Sequence, residues 1–494
     1  MREYKKVLDF AVMKNGKEVV LVDRKLYAIF AFVFSAVLLF SACSSGGKEL
    51  SENKSDAIQL LNVTRTMRGS DEPAIIDTKQ GYIYAVMDIA ALTEEDLNAV
   101  FDYLATVNAE SVVIINAARY KNAVELYSAM KEDSAIREGE VLGVQIFGTP
   151  EMVPAFYIQY RAQMLSGVHE DEEEFLSDLF YGNFENESEE IGYGYNVKAH
   201  FDEGLNVDLI PRWPVVRLPL SKGEYSTFFD KYTDFVKETE LERLDLVNFS
   251  NPIFAQEDHS DDMSEFLKRM DDEFALLDVA YRLYANLDGD YPVTADVMGG
   301  FTAENMSAEN KKNVMELLIN AHGTWDAVYH TAFENGRQID TELLNEGNIN
   351  TILGNKLYYL DTWSCSLGGD MRDNLTTEAL NGKCVGVFSA TVYMSNNGVK
   401  WNVPLDEMEK SNFFYFYYCY LKALHEGCGR SEAFFKAQQS YGHALIADSV
   451  NGLRGEGNYQ FGLYNLLAYH NFGVLEPNVI AVTEYECKGN ICIQ

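Results

Sequence analysis

The sequence is poor in basic residues and in proline, and its cysteines follow no framework. Forty Lys and Arg stand against 76 Asp and Glu, a net charge of −36 over 494 residues. Such a chain repels nucleic acid, whose binding rests on basic contacts to phosphates. An anionic lipid surface would repel it too unless something anchors it. Ten prolines and 35 glycines exclude a collagen-like or low-complexity chain. The seven cysteines include no C-x-x-C pair and no H-E-x-x-H accompanies them, so neither a zinc ribbon nor a zincin is indicated. The chain is too long to need a disulfide framework, although Cys487 and Cys492 are close enough in the tail to pair. There is no P-loop, no dinucleotide fingerprint and no repeat of fixed period. What is present is a 47% hydrophobic chain with 13% aromatics, 30 of them Tyr. That aromatic content separates it from acidic disordered chains. Its length suits about two to four domains at roughly 150 residues each.

The first 43 residues read as a targeting segment. Met1 to Lys25 carries seven basic and four acidic residues, a net of +3. Leu26 to Ala42 follows, 17 residues without a charge. This is shorter than the roughly 20 residues a membrane span needs. It ends in Ser41 and Ala42, the small-residue exit of a secretory signal. The block Phe40-Ser41-Ala42-Cys43 resembles the lipobox of bacterial lipoproteins, with Phe40 in place of the usual Leu. The resemblance implies a signal peptide over 1–42, lipidation of Cys43 and an extracytoplasmic body held at the cell membrane by that lipid. Residues 43–55 then read as a polar tether.

Beyond the tether the chain alternates strands and helices. Ala74–Ile76 and Tyr82–Met87 read as strands. Thr93 followed by Glu94, Glu95 and Asp96 opens a helix to about Thr106. Ser111–Asn116 is a β-branched run suited to a buried parallel strand. A helix over about Lys121–Lys131 and a strand over Val141–Gly148 complete a βαβ rhythm, which argues for an α/β sheet covered on both faces. The acidic run Glu170–Glu174 reads as a solvated face or loop, with a calcium site as the livelier reading. Val215–Leu218 is a strand, Ser221 caps a helix to about Thr239, and Leu244–Phe249 resumes the strand pattern. Asp261–Leu287 reads as one amphipathic helix. Ser307–Glu316 reads as a helix that runs into a strand, Leu317–Ala321. Leu357–Leu360 and Cys384–Ala390 are further buried strands. Asn412–Glu426 and Arg430–Gly442 read as helices.

One constellation carries chemistry. His322 and Cys365 each sit just past the carboxyl end of an apolar strand, where open parallel sheets build their sites. A thiol there acts as a thiolate, and a nearby imidazole can take its proton. The 43 residues between them accommodate one crossover, so adjacent strands could bring them together. Gly323 lets the backbone approach a substrate closely and offers its N–H to a developing oxyanion. Asp361 and Asp370 flank the cysteine, each as readily a cap or surface acid as a site residue, and His330 reads as a loop histidine. Trp325 and Trp363 either wall a cleft or pack. Arg217 reads as a structural arginine pairing an acid between subdomains.

The order of these segments resembles the gingipain family of caspase-like cysteine peptidases (clan CD). LYYLDTWSCSLGGD resembles its nucleophile block, and Ala379–Gly398 the strand that follows. Val141–Pro154, Ser177–Glu185, Val207–Phe235 and Asn458–Pro477 resemble its other conserved stretches. Val216-Arg217-Leu218-Pro219 lacks the glycine usual before the arginine, and Asn471-Phe472-Gly473 departs from the family's Gly-Asp-Pro.

The resemblance implies a caspase/gingipain-like three-layer sandwich of class α/β, with two side-by-side subdomains and mostly parallel sheets. Residues 109–255 would be the first subdomain, 256–477 the catalytic one, 56–108 an accessory or propeptide-like segment and 478–494 a tail. Cys365 would be the nucleophile, His322 the general base and acid, and the N–H groups of Gly323 and Cys365 the oxyanion hole. Protein or peptide substrates cut after Arg or Lys are implied. No cofactor is required, with room for a structural calcium. An inactive surface binding lipoprotein of the same fold, or a solute-binding lipoprotein, stands as the alternative.

Overall fold

A computed structural model describes residues 58–61, 81–107, 109, 111–163, 170–191, 195–196, 207–241, 245–250, 281–285, 297–334, 337–391, 413–426, 428–450, 462–463 and 465–476. The signal segment, Cys43, the tether, Ala74–Ile76, Asp288, Asp290 and the tail lie outside the described residues.

The strands follow the chain in groups. First come β1 (Ile58–Leu61), β2 (Tyr82–Met87), β3 (Ser111–Asn116) and β4 (Val141–Phe147). Next is a hairpin of β5 (Phe156–Gln163) and β6 (Glu170–Ser177), with the short β7 (Tyr195–Asn196) beside it. Then come β8 (Val215–Leu218), β9 (Asp245–Ser250), β10 (Tyr281–Ala285), β11 (Val297–Gly299) and β12 (Met315–Asn320). A second small sheet holds β13 (His322–Gly323), β14 (Ala327–Glu334) and β15 (Arg337–Asn345). The last strands are β16 (Tyr358–Thr362), β17 (Cys384–Ala390) and β18 (Tyr469–Phe472).

Among the described residues, twelve strands form one sheet in the order β1-β3-β2-β4-β8-β18-β17-β16-β12-β9-β10-β11. Neighbours are parallel except β1 with β3 and β17 with β18. β18 meets β8 at one bridge, Phe472 opposite Arg217. Side-chain contacts put the loop after β4 beside the loop after β16, where Arg372 pairs with Glu151, and the end of β6 beside the end of β17, where Thr391 Oγ1 donates to Leu176 O at 2.9 Å.

The longer helices are α1 (Glu94–Leu104), α2 (Ala123–Ile136), α3 (Tyr225–Leu241), α4 (Ala303–Asn310), α5 (Leu375–Asn381), α6 (Phe413–His425) and α7 (Arg430–Val450). They divide between the two faces of the sheet. Because strand side chains alternate, Tyr82, Tyr84 and Val86 meet α2 on one face, with Leu126, Tyr127 and Met130. Ile83, Ala85 and Met87 meet α1 on the other, with Leu97, Val100 and Leu104. α6 and α7 cover the first face, α3, α4 and α5 the second. The result is the expected α/β three-layer sandwich, with a mostly parallel sheet.

Several elements differ from their sequence signals. α3 begins at Tyr225 rather than beside Ser221. Its first N–H groups are capped from another helix: Asp96 accepts from Gly223 N at 2.7 Å and from Tyr225 N at 3.1 Å. Asp96 also completes the capping box of α1 with Thr93, so one buried carboxylate joins two helix starts. Burial alone would raise its pKa, but the bonds from Thr93, Gly223 and Tyr225 bring it below the usual carboxylate value. The amphipathic run ending at Leu287 contains β10, whose Leu283 and Tyr284 are buried beside β9. Arg282 in that strand pairs with Asp245 and Glu309. The helix expected over Ser307–Glu316 lies earlier, at Ala303–Asn310, and Glu316 is already in β12.

The acidic run Glu170–Glu174 is a strand, not a loop. Residues 81–107, expected in an accessory segment, are β2 and α1, inside the main sheet and its covering layer. β9, expected in the first subdomain, lies between β12 and β10.

Candidate active site

β12 and β16 are adjacent and parallel, with Met315 opposite Tyr358 and Ile319 opposite Thr362. The ladder continues one step further, Trp363 N donating to Ile319 O at 2.7 Å. His322 is three residues past Ile319 and Cys365 three residues past Thr362, so both leave the sheet at the same level. Gly323 shows how close the two chain exits are. A Cβ built on it would lie 2.7 Å from Ser364 Cβ, 2.9 Å from Cys365 O and 3.4 Å from Cys365 N. No side chain fits there, which explains the glycine.

His322 is half-buried in β13, opposite Tyr329 of β14. Burial holds its pKa below the ordinary 6.5, and the Asp340 carboxylate on β15 partly counters that. The imidazole is therefore neutral at neutral pH and can accept a proton. Cys365 is a half-buried thiol. The chain then makes a tight turn: Ser366, Gly369, Met371 and Asp373 all have positive φ, at 58°, 35°, 59° and 43°. For non-glycine residues that conformation costs about 1–3 kcal/mol each and persists only where the surroundings enforce it. Here they do. Gly368 N donates to Ala390 O at 2.8 Å, Asn374 Nδ2 to Gly368 O at 2.7 Å and Thr376 Oγ1 to Leu367 O at 2.9 Å. Leu367 and Met371 are buried. Asn374 then caps α5 through a capping box with Thr377.

Trp325 is 52% exposed beside this turn, and its carbonyl accepts from Leu375 N at 3.0 Å. It fits a cleft wall, whereas Trp363 packs edge-on against Tyr417. Asp326 is half-buried and accepts from Thr324 Oγ1 at 2.7 Å. Asp370 is exposed, and His330 is on β14 rather than in a loop. Cys384 is fully buried, and burial pushes its thiol up to about 11.

Beneath the site is a buried charged cluster that the sequence did not reveal. Asp361, for which a cap, a surface acid and a site residue are all open readings from the sequence, is 1% exposed in β16. Arg430, at the start of α7, bonds Asp361 Oδ1 and lies 3.8 Å from Glu316 Oε1 in β12. Its guanidinium carbon is 3.4 Å from the Phe388 ring centroid, and Tyr420 OH donates to Glu316. Burial and the neighbouring Asp361 carboxylate raise the Glu316 pKa well above the usual value. A charged residue inside an apolar strand run, as in LYYLD, was the available signal. The partner could not be read from it.

Arg217 is structural, as expected. It is fully buried and holds Asp178 through two bonds, Nε to Oδ2 at 2.6 Å and Nη2 to Oδ1 at 2.7 Å. Its Nη1 donates to Gly148 O at 2.8 Å and Val153 O at 3.0 Å. Among the described residues, no group of three or more His, Cys, Asp or Glu is placed to hold a metal ion.

No protein-family model and no curated protein sequence matches the chain. Solved structures do. A structure described as "Structure of Protease" superposes with a TM-score of 0.52 at 12% identity, over 80% of this chain and 77% of that one. The complex of the pro- and mature domains of Porphyromonas gingivalis RgpB superposes with a TM-score of 0.51 at 12% identity, over 81% of this chain and 80% of that one. The Arg-specific cysteine proteinase gingipain R (RGPB) gives 0.49 at 11% identity, over 83% and 80%. The chain has the gingipain-like cysteine peptidase fold.

Proposed function

We propose that the protein is a cysteine endopeptidase, exported and anchored at the membrane through lipidated Cys43. The observation that carries the reading is the meeting of His322-Gly323 and Ser364-Cys365 at the level ends of two adjacent parallel strands. The peptidase-like fold of the structural neighbours supports it. In the reaction, His322 takes the Cys365 proton and the thiolate attacks the scissile carbonyl. The N–H groups of Gly323 and Cys365 receive the developing oxyanion. The imidazolium gives its proton to the leaving amine, which leaves an acyl-enzyme. Water activated by the neutral His322 then hydrolyses the thioester.

A half-buried imidazole suits the base role because desolvation keeps it neutral. The acidic composition suits substrates with a basic residue before the cut, which Asp326, Asp288 or Asp290 would pair.

Purified protein should hydrolyse a peptide library, and Cys365→Ala or His322→Ala should each abolish that with little change in melting temperature. The double variant should be no worse than either single one, since the two act as a unit. Hydrolysis that survives in Cys365→Ala would remove the assignment. Labelled fatty acid should enter the wild type and not Cys43→Ala; its absence from the wild type would refute the anchor.

A further inference from the structure

The seam where β18 meets β8 encloses a small polar cavity. The strands touch there at one bridge, between Phe472 and Arg217. The cavity has room for a water centre, about 10 Å³, and one buried water needs roughly 10–15 Å³ of such space. Five polar side chains border it: Asp178 after β6, Arg217 in β8, Gln438 in α7, and His470 and Asn471 in β18. The rest of the lining is apolar. All five polar residues are buried.

His470 indicates what the cavity holds. It is 6% exposed, and its Nε2 is buried with no hydrogen-bond partner among the described residues. The Leu176 and Leu467 carbonyls lie beside the ring and favour a proton on it, but neither completes a bond to Nε2. A buried polar atom is costly to leave unpaired, and in folded proteins nearly all such atoms meet protein or ordered water. A space of this size admits nothing larger than water. Water also suits an imidazole in either state, because it donates to a bare ring nitrogen and accepts from a protonated one. Arg217 offers a further donor. A guanidinium carries five N–H groups, and its bonds to the two Asp178 oxygens, Gly148 O and Val153 O use four of them.

We propose that the cavity is a binding site for one ordered water, bonded to His470 Nε2 and to the polar groups around it, and that this water closes the seam between β8 and β18. The inference concerns the scaffold and holds whether or not Cys365 is a nucleophile. It bears on that region through β18: Tyr469 OH donates to Thr362 O at 2.9 Å, at the end of β16. His470 also pairs with Ser389 of β17, whose hydroxyl meets Thr376 Oγ1 at 2.9 Å. The same histidine makes the seam sensitive to acid. Burial pushes its pKa down to about 4; of the charged groups facing the ring, Asp178 counters that and Arg217 adds to it. The unfolded chain takes up a proton below about 6.5 that the folded chain refuses. The stability His470 contributes is therefore complete above about 6.5 and is lost as pH falls toward about 4.

A high-resolution crystal structure of the full-length wild type near neutral pH tests the site without any substitution. The expected result is a single density peak in the cavity, about 2.7–3.2 Å from His470 Nε2 and from at least one other polar group of the lining. An empty cavity, or a protein atom bonded to Nε2 in its place, would overturn the site. Denaturant titrations between pH 7 and pH 4 test the acid response by comparing wild type with His470→Gln, whose amide can still meet the water but does not titrate. Below about pH 6.5 the unfolding constant of wild type should rise relative to that of the variant, by up to about tenfold per pH unit. Parallel curves for the two proteins would overturn the acid response.

Discussion

The ends of β2, β3 and β4 and the ends of β12 and β16 belong to parallel strands of one sheet, yet they differ in how tightly the exits close. In the first half small residues, Ala117 and Ala118, leave an open cleft with no nucleophile. In the second half Gly323 lies so close to Ser364 and Cys365 that one methyl group has no room. The scaffold supplies the position, and the side chains at the strand exits decide whether it becomes a binding surface or a reaction centre. The support beneath differs as well. Arg217 meets one carboxylate with two bonds, whereas Arg430 faces two, Asp361 and Glu316, and burial beside Asp361 raises the pKa of Glu316.

The most disruptive way to break the comparison is to add a methyl group on each side. Gly323→Ala should destabilise the protein by about 1–3 kcal/mol through overpacking, and misplacing the dyad should lower kcat about a hundredfold. Ala118→Val, at an exposed position of the open cleft, should change neither melting temperature nor kcat. Equal tolerance at the two sites would mean that the second half is not closed as described.

A smaller effect concerns the surplus carboxylate. The Glu316 pKa is raised in the folded state, so folding there retains a proton that the unfolded chain releases. The stability this group contributes is complete below its unfolded value of about 4.5. It is lost as pH rises toward the folded value, at up to about 1.4 kcal/mol per pH unit. Glu316→Gln carries no titrating group there. Denaturant titrations should show its stability falling less steeply than that of wild type above pH 4.5, and parallel curves would contradict the buried proton. The smallest shift involves Asp340, whose charge partly offsets the desolvation of His322. Asp340→Asn should move the acidic limb of kcat/KM to lower pH, with kcat on the plateau unchanged.

Much of this was legible because it is local. Ser111–Asn116 and Cys384–Ala390 are strands to the residue, since β-branched apolar runs bounded by polar turns have one economical reading. Thr93 and the acids after it mark α1 for the same reason. The exits at His322 and Cys365 follow from strand order. What failed was decided by distant partners. The start of α3 is set by Asp96 of another helix, and β10 is a strand because β9 offers a parallel edge to Leu283 and Tyr284. The Arg430 cluster joins α7 to two strands far away in sequence. No period or motif encodes such pairings.

The central claim is that Cys365 is the one activated thiol. Treating the full-length protein with an irreversible peptidyl electrophile and mapping adducts by mass spectrometry tests it directly. The account predicts a single adduct on Cys365, absent from His322→Ala, with the buried Cys384, Cys419 and Cys428 unmodified. An adduct on another cysteine, or none on Cys365 in the folded wild type, would contradict it.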